Sequence, residues 1–245
     1  MRPSAYLMQS PVRVIVVGGW SPGPLPLLER RLPEVEFEHV GCLPMPPCGC
    51  AWLANPFLAL LIFYVAWVAP TLGGMARGVA NPGGATLIVL LVVLSFALAR
   101  ALVAAIVRFS VWHGALLTRG AIGHGAPPAL VIGFSWGGGV VHAMLAARSW
   151  PGSALLLAPT ISAISSIEMR SAWPVIAPDE AERTEVVMPM FDAFCPPSQV
   201  EDYRAAGVTV HVVRDDHVMC SRDSVDTIAA RILALVRQAD AADDG

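Results

Sequence analysis

Apolar residues in this chain form two kinds of run. Short ones, each closed by glycine, proline or polar residues, lie towards both ends of the sequence, and two much longer ones lie between them. Val12 to Val17 is β-branched and stops at Gly18-Gly19, which predicts a buried strand. After the turn Ser21-Pro22-Gly23-Pro24, Leu25 to Leu32 suits a short helix. Val35 to Val40 alternates apolar and polar residues as a second strand would. Further along, strands are predicted at Ala129–Ile132, Ala154–Leu157, Glu185–Met190 and Val208–Val213. Helices are predicted at Gly137–Ala147, Val200–Ala206 and Ser224–Arg237. Strands and helices that alternate in this way require crossover connections. The expected fold is therefore α/β: a mostly parallel sheet of about six strands with helices on both faces.

The long runs are Trp52 to Leu72, free of charge, and Thr86 to Val107, broken only by Arg100. Each is about 20 residues, enough to cross ~30 Å of hydrocarbon as a helix. Gly73-Gly74, Asn81-Pro82 and Gly83-Gly84 separate them, so the pattern predicts a transmembrane-like helical hairpin. The insert spans residues 41–107, between the two parts of one body, 1–40 and 108–245. A charge at mid-bilayer costs about 2.5–3.5 kcal/mol. Arg100, ~10 Å from the end of its run, reaches the interface by snorkelling. The competing reading is a pair of lid helices in a soluble protein. Arg13, Arg30, Arg31, Arg108 and Arg119 flank the insert on the body side, against Arg77 in the turn, and favour a cytoplasmic body.

Composition sharpens this division. Charged residues make up 14% of the chain, against about 25% in ordinary soluble domains. Between Gly41 and Val107 there are only two, Arg77 and Arg100. A net charge of −3 and the lack of any basic run beyond Arg30-Arg31 argue against a nucleic-acid partner. Five cysteines, an odd number, and no apolar signal segment within Met1–Pro11 point to a reducing compartment rather than a disulfide framework. Cys42, Cys48 and Cys50 precede the first long run, where cysteines are either inert or S-acylated. No cysteine or histidine spacing calls for a metal, and no phosphate loop or dinucleotide fingerprint calls for a cofactor.

The chemistry concentrates after the insert. Gly133-Phe134-Ser135-Trp136-Gly137 fits G-x-S-x-G between a predicted strand and a predicted helix, the setting in which that pattern exposes a serine on a tight turn. A serine needs a base. Asp192 follows the strand at Glu185–Met190 and His217 follows the strand at Val208–Val213, so both fall at carboxyl ends, where parallel sheets place their sites. Asp215 and Asp216 are rival carboxylates. His142 reads as a satisfied helix residue, and His113 and His124 as loop residues. Trp20 and Trp136 are candidate walls of an acyl pocket.

The Gly-Phe-Ser-Trp-Gly-Gly turn, with Ser, Asp and His in that chain order, resembles the α/β-hydrolase superfamily and, within it, the nucleophile elbow of dienelactone-hydrolase-type members. The likeness covers residues 12–40 and 108–237, starting at what would be the family's third strand. It implies Ser135 as nucleophile, His217 as general base and Asp192 as the acid that orients it. It also implies an oxyanion hole from the backbone N–H of Trp136 and a second donor at Gly19 or Trp20. The chain departs from the family in having Gly-Gly-Trp where His-Gly is common. The expectation is a membrane-associated serine hydrolase of carboxylic ester or thioester bonds with a small-molecule or lipid acyl substrate. The alternative is a catalytically silent relative that binds a lipid or protein partner.

Overall fold

The computed structural model describes residues 11–41, 82–168, 170 and 174–243. Its centre is a six-stranded sheet: β1 (Val12–Val17), β2 (Val35–Val40), β3 (Leu130–Phe134), β4 (Ser153–Leu157), β5 (Thr184–Pro189) and β6 (Thr209–Val213). The spatial order is β2-β1-β3-β4-β5-β6 and every pairing is parallel. The central strands are apolar along their length because both faces are covered. Val14 to Val17, Leu130 to Ile132 and Leu155 to Leu157 have no solvent exposure. Seven helices complete the described elements: α1 (Leu25–Arg31), α2 (Pro82–Ile122), α3 (Trp136–Ala146), α4 (Ile161–Ile167), α5 (Pro178–Ala181), α6 (Pro197–Ala205) and α7 (Arg222–Asp243). The chain leaves β1 toward one edge to make β2 and returns to the other side of β1 to make β3. That reversal opens a crevice at the carboxyl ends of β1 and β3, the standard location of a site in such sheets.

The α/β expectation therefore holds, with element ends moved by a few residues; α7, for instance, runs on to Asp243. The larger difference is α2. The sequence pattern ends the second apolar run at Val107, but the helix continues without a break to Ile122, 41 residues in all and about 60 Å long. Its last turns belong to the body. Ala104, Val107, Ser110 and Thr118 are buried, and Val111 and Ala115 pack on the core. Arg13 of β1 secures the end of α2. Its guanidinium donates to the carbonyls of Ala121 (2.7 Å) and Ala126 and pairs with Glu38 of β2. A cation at these terminal carbonyls also suits the negative end of the helix. The earlier part of α2 is bare: Leu90, Val93, Leu94, Phe96 and Leu98 are 59–68% exposed, and Arg100 is exposed. Among the described residues, one stretch of helix, Val93–Ile122, is long and apolar enough to cross a membrane. The expected first arm, 52–72, lies outside the described residues, as do Cys42, Cys48 and Cys50. His113 is not in a loop but inside α2, where its ring stacks on Phe109 at 5.8 Å. His124 lies just past the helix end.

His142 of α3 is buried and doubly engaged. Nε2–H donates to the Pro174 carbonyl (2.8 Å), which leaves Nδ1 to accept from the Tyr203 hydroxyl (3.2 Å). Burial pulls its pKa from 6.5 down to about 4, against a raising contribution from the Pro174 carbonyl. The unfolded chain therefore binds a proton that the folded chain refuses between pH 6.5 and 4. Stability should fall as pH drops through that window, by about 3 kcal/mol in all, and level off below it. Thermal unfolding from pH 7 to pH 4 tests this. The pH slope should flatten in His142→Asn, whatever that variant's stability at neutral pH.

Candidate active site

The site is built where three strands end. Between β3 and α3, Ser135 adopts φ 54° and ψ −117°, a left-handed conformation that costs a non-glycine residue on the order of 1–3 kcal/mol. The surrounding backbone holds it there. The Ser135 N–H donates to the Leu157 carbonyl (2.8 Å), and its own carbonyl accepts from Gly139 (3.3 Å) and Thr160 (3.2 Å). Ala158 after β4 and Met219 just beyond His217 also have positive φ, so three of the four such non-glycine residues among those described lie at this end of the sheet; the fourth, Arg148, follows α3.

Two glycines make the turn possible. A Cβ on Gly137 would lie 1.9 Å from the Val17 carbonyl oxygen, so the start of α3 can press against β1 only without a side chain. A Cβ on Gly19 would lie 2.6 Å from Ser135 Cβ and 3.0 Å from its Oγ, so the loop after β1 runs directly beside the serine. These contacts place the loop at Gly19 and Trp20 and the start of α3, at Trp136, beside Ser135. The Trp136 N–H has no acceptor within its own helix, because the first turn never does.

The structure brings all three expected catalytic side chains together. Ser135 Oγ is 2.8 Å from His217 Nε2, and His217 Nδ1 is 2.6 Å from Asp192 Oδ2. A carboxylate only accepts, so Nδ1 carries the proton and Nε2 offers its lone pair to the serine hydroxyl. The Asp192 side chain is fully buried, whereas that of His217 is partly open. Burial alone would raise the Asp192 pKa. Hydrogen bonds from His217, Cys195 and the Phe194 N–H (2.7 Å) outweigh it and hold the carboxyl below its ordinary value. The imidazole is clamped laterally by Phe134 and Phe194, with ring centroids at 5.8 and 5.1 Å.

The rival carboxylates have other work. Asp215 accepts the N–H groups of Asp216 and Ser221 (both 2.9 Å), and Asp216 accepts that of Val218 (2.9 Å). Both brace the loop that presents His217 rather than pairing with its ring. Donor atoms of Asp192, Cys195 and His217 lie within 4.8 Å of one another, which by distance alone could suit a metal. In the structure both imidazole nitrogens are engaged by the serine and the aspartate, and burial and the Asp192 charge drive the Cys195 thiol far up.

A cavity of ≈ 180 Å³ opens beside Ser135 Oγ. Trp20, Trp136, Ala163, Ile167 and Phe194 give it an apolar wall, with Thr160 and Ser21 at its edge. Trp20 and Trp136 thus both line it as expected, with rings 6.3 Å apart. Sequence reasoning passed over Thr160 and Phe194, although each follows the carboxyl end of a strand, a position that marks site residues in this architecture. It also missed Ser110. The Trp136 indole N–H donates to Ser110 Oγ of α2 (3.1 Å), and both residues are buried, so one wall of the cavity hangs from the long apolar helix. No residue of α2 is among the described lining of the cavity itself.

Gly137→Ala should prevent stable folding, because the clash is with backbone. Gly19→Ala should fold, since Ser135 and the loop can shift, but the displaced serine should lose most of its reactivity toward an acylating probe. Circular dichroism and probe labelling, run side by side, separate the two effects.

Compared with known proteins, the chain matches no protein-family model and no curated protein.

Proposed function

We propose that the chain is a membrane-associated serine hydrolase of the α/β-hydrolase type, acting on carboxylic ester or thioester bonds. The observation that carries this reading is the continuous hydrogen-bonded line from Ser135 through His217 to Asp192, starting from a strained turn beside an apolar cavity. The Ser, Asp, His chain order and the strand–turn–helix setting of the serine agree with that family.

The arrangement performs acyl transfer in two halves. His217 Nε2 takes the Ser135 proton as Oγ attacks the acyl carbonyl, and Asp192 stabilises the imidazolium without itself being protonated. The N–H groups of Trp136 and of Gly19 or Trp20 hold the negative oxygen of the tetrahedral intermediate. One such donor is worth about 2.7–4 kcal/mol in related chemistry. The imidazolium then protonates the departing alcohol or thiol. Water, deprotonated by the same His217, attacks the acyl-serine and releases the acid. No cofactor enters any step.

The cavity is small beside the 300–1,000 Å³ of drug-sized sites, which suits a short or slender apolar acyl group. The bare stretch of α2 supports membrane association. From Leu90 to Leu102 it extends about 20 Å, some two thirds of the thickness of a hydrocarbon core. The body then sits where the helix leaves the bilayer, on the cytoplasmic side by its arginine bias. Ser110, which holds the cavity wall, lies in that same turn. A lipid-derived acyl substrate follows from this placement.

A fluorophosphonate probe should label the detergent-solubilised protein at Ser135 and leave Ser135→Ala unmodified. Asp192→Asn should cut ester turnover by about 10⁴-fold, the scale of the equivalent change in the serine-protease template. A folded protein that takes no label would instead support the silent lipid- or partner-binding relative. In membranes, the chain should resist carbonate extraction; release into the supernatant would sink the membrane reading and leave the hydrolase reading intact.

A further inference from the structure

The triad cavity is not the only concavity. On the outer face of the body, α2 and the end of α3 enclose a groove of ≈ 400 Å³. Its α2 wall comes from one helix face, including Arg108, Trp112 and Arg119. Its floor includes Met144, and Glu168 and Arg170 close it from the segment after α4. Three guanidinium groups thus face one carboxylate. Glu168 is buried and spoken for: Oε2 accepts from Arg170 Nε at 2.5 Å. Arg108 donates only to the neutral carbonyl of Glu168 (3.3 Å), and Arg119 only to the carbonyl of Ala115 in its own helix (3.3 Å). Among the described residues, neither has an anionic partner. The groove carries an excess of positive charge that no group among the described residues neutralises.

Its position says what would neutralise it. Arg108 is the first charged residue after Arg100 on α2, and the exposed apolar side chains run past it through Phe109 and Trp112 to Leu116 and Leu117. Phe109 and Trp112, 55% and 53% exposed with rings 5.7 Å apart, stand beside it. Aromatic rings and arginine at the end of an apolar span are the arrangement that suits a headgroup layer. We propose that this groove is a binding site for the phosphate of an anionic phospholipid. Arg108 and the free amino groups of Arg170 contact the phosphate, Trp112 packs on the glycerol region and Arg119 extends the positive field along the groove. The site would fix the rotation of α2 at the bilayer surface, and with it Ser110 and the cavity wall held by Ser110.

The inference rests on the membrane reading above but is tested separately. The full chain, purified in mild detergent, is titrated with phosphatidylglycerol, with phosphatidylcholine and with inorganic phosphate, and retained adducts are counted by native mass spectrometry. Phosphatidylglycerol should be retained over phosphatidylcholine. Arg108→Gln and Arg119→Gln should each weaken that preference, by about fivefold for a residue at the surface. Arg108→Lys should largely preserve it, and fluorophosphonate labelling of Ser135 should persist in all three variants as proof of fold. Equal retention of the two lipids overturns the proposal, as does a preference that survives both glutamine substitutions. Inorganic phosphate that displaces phosphatidylglycerol at equal concentration overturns the lipid assignment. A chain that resists carbonate extraction yet shows no headgroup preference loses this site alone, not the membrane reading.

Discussion

Everything chemical in this protein depends on one backbone contact: the start of α3 pressed against the end of β1. Gly137 has no room for even a methyl group beside the Val17 carbonyl, and that closeness fixes where the chain must turn after β3. The turn can be made only if Ser135 accepts a left-handed conformation, and three main-chain hydrogen bonds to β4, α3 and the loop at Thr160 keep it there. The strain is local and the restraint is distributed. Ser135 is therefore held in place by the fold itself, and on the proposed hydrolase reading this spares the reaction the cost of ordering its nucleophile. The same contact draws the loop after β1 alongside the serine, so one steric constraint sets both the turn that carries the hydroxyl and the backbone beside it.

The triad was legible in the sequence because each member sits at the end of a strand the hydrophobic pattern reveals. Val208–Val213 announces β6, so His217 must emerge from its carboxyl end; Asp192 follows β5 in the same way. Choosing Asp192 over Asp215 and Asp216 was also within reach. A residue one or two positions from a histidine can rarely turn its carboxylate to that ring, but it can readily accept N–H bonds of the loop, as both do. The rest was hidden for physical reasons. Hydropathy cannot show where a helix stops being lipid-facing and starts packing on protein, since both environments accept the same residues. Hence α2 read as ending at Val107, while Val111, Ala115 and Thr118 continue it against the body. His113, a poor helix former flanked by Trp112 and Gly114, read as loop because local propensity is a weak prior that tertiary packing overrides.

Ser110 shows a second kind of blindness. A lone serine in an apolar run carries no signal, and its partner, Trp136, is 26 positions away across a sheet strand. The link only exists once α2 lies across α3. Yet it joins the two halves of the protein: the indole that walls the acyl cavity belongs to the residue whose N–H would hold the oxyanion, and its far edge is hydrogen-bonded to the long helix. A buried indole N–H without an acceptor would cost about 1–3 kcal/mol, so the ring's position and the helix's rotation are not independent.

That dependence bears on why the body keeps an apolar helix continuous with its own core. A flexible tether would bring the site to a membrane equally well and would leave the catalytic wall untouched. A rigid helix clamped at its end by Arg13 and hydrogen-bonded to the cavity wall at Ser110 does more, because any rotation of the helix at the bilayer is transmitted to Trp136. Close-packed interiors pass on such displacements rather than absorbing them. On the proposed reading the apolar segment is part of the acyl site's architecture, and the depth at which the helix sits would set how the cavity mouth meets the lipid surface.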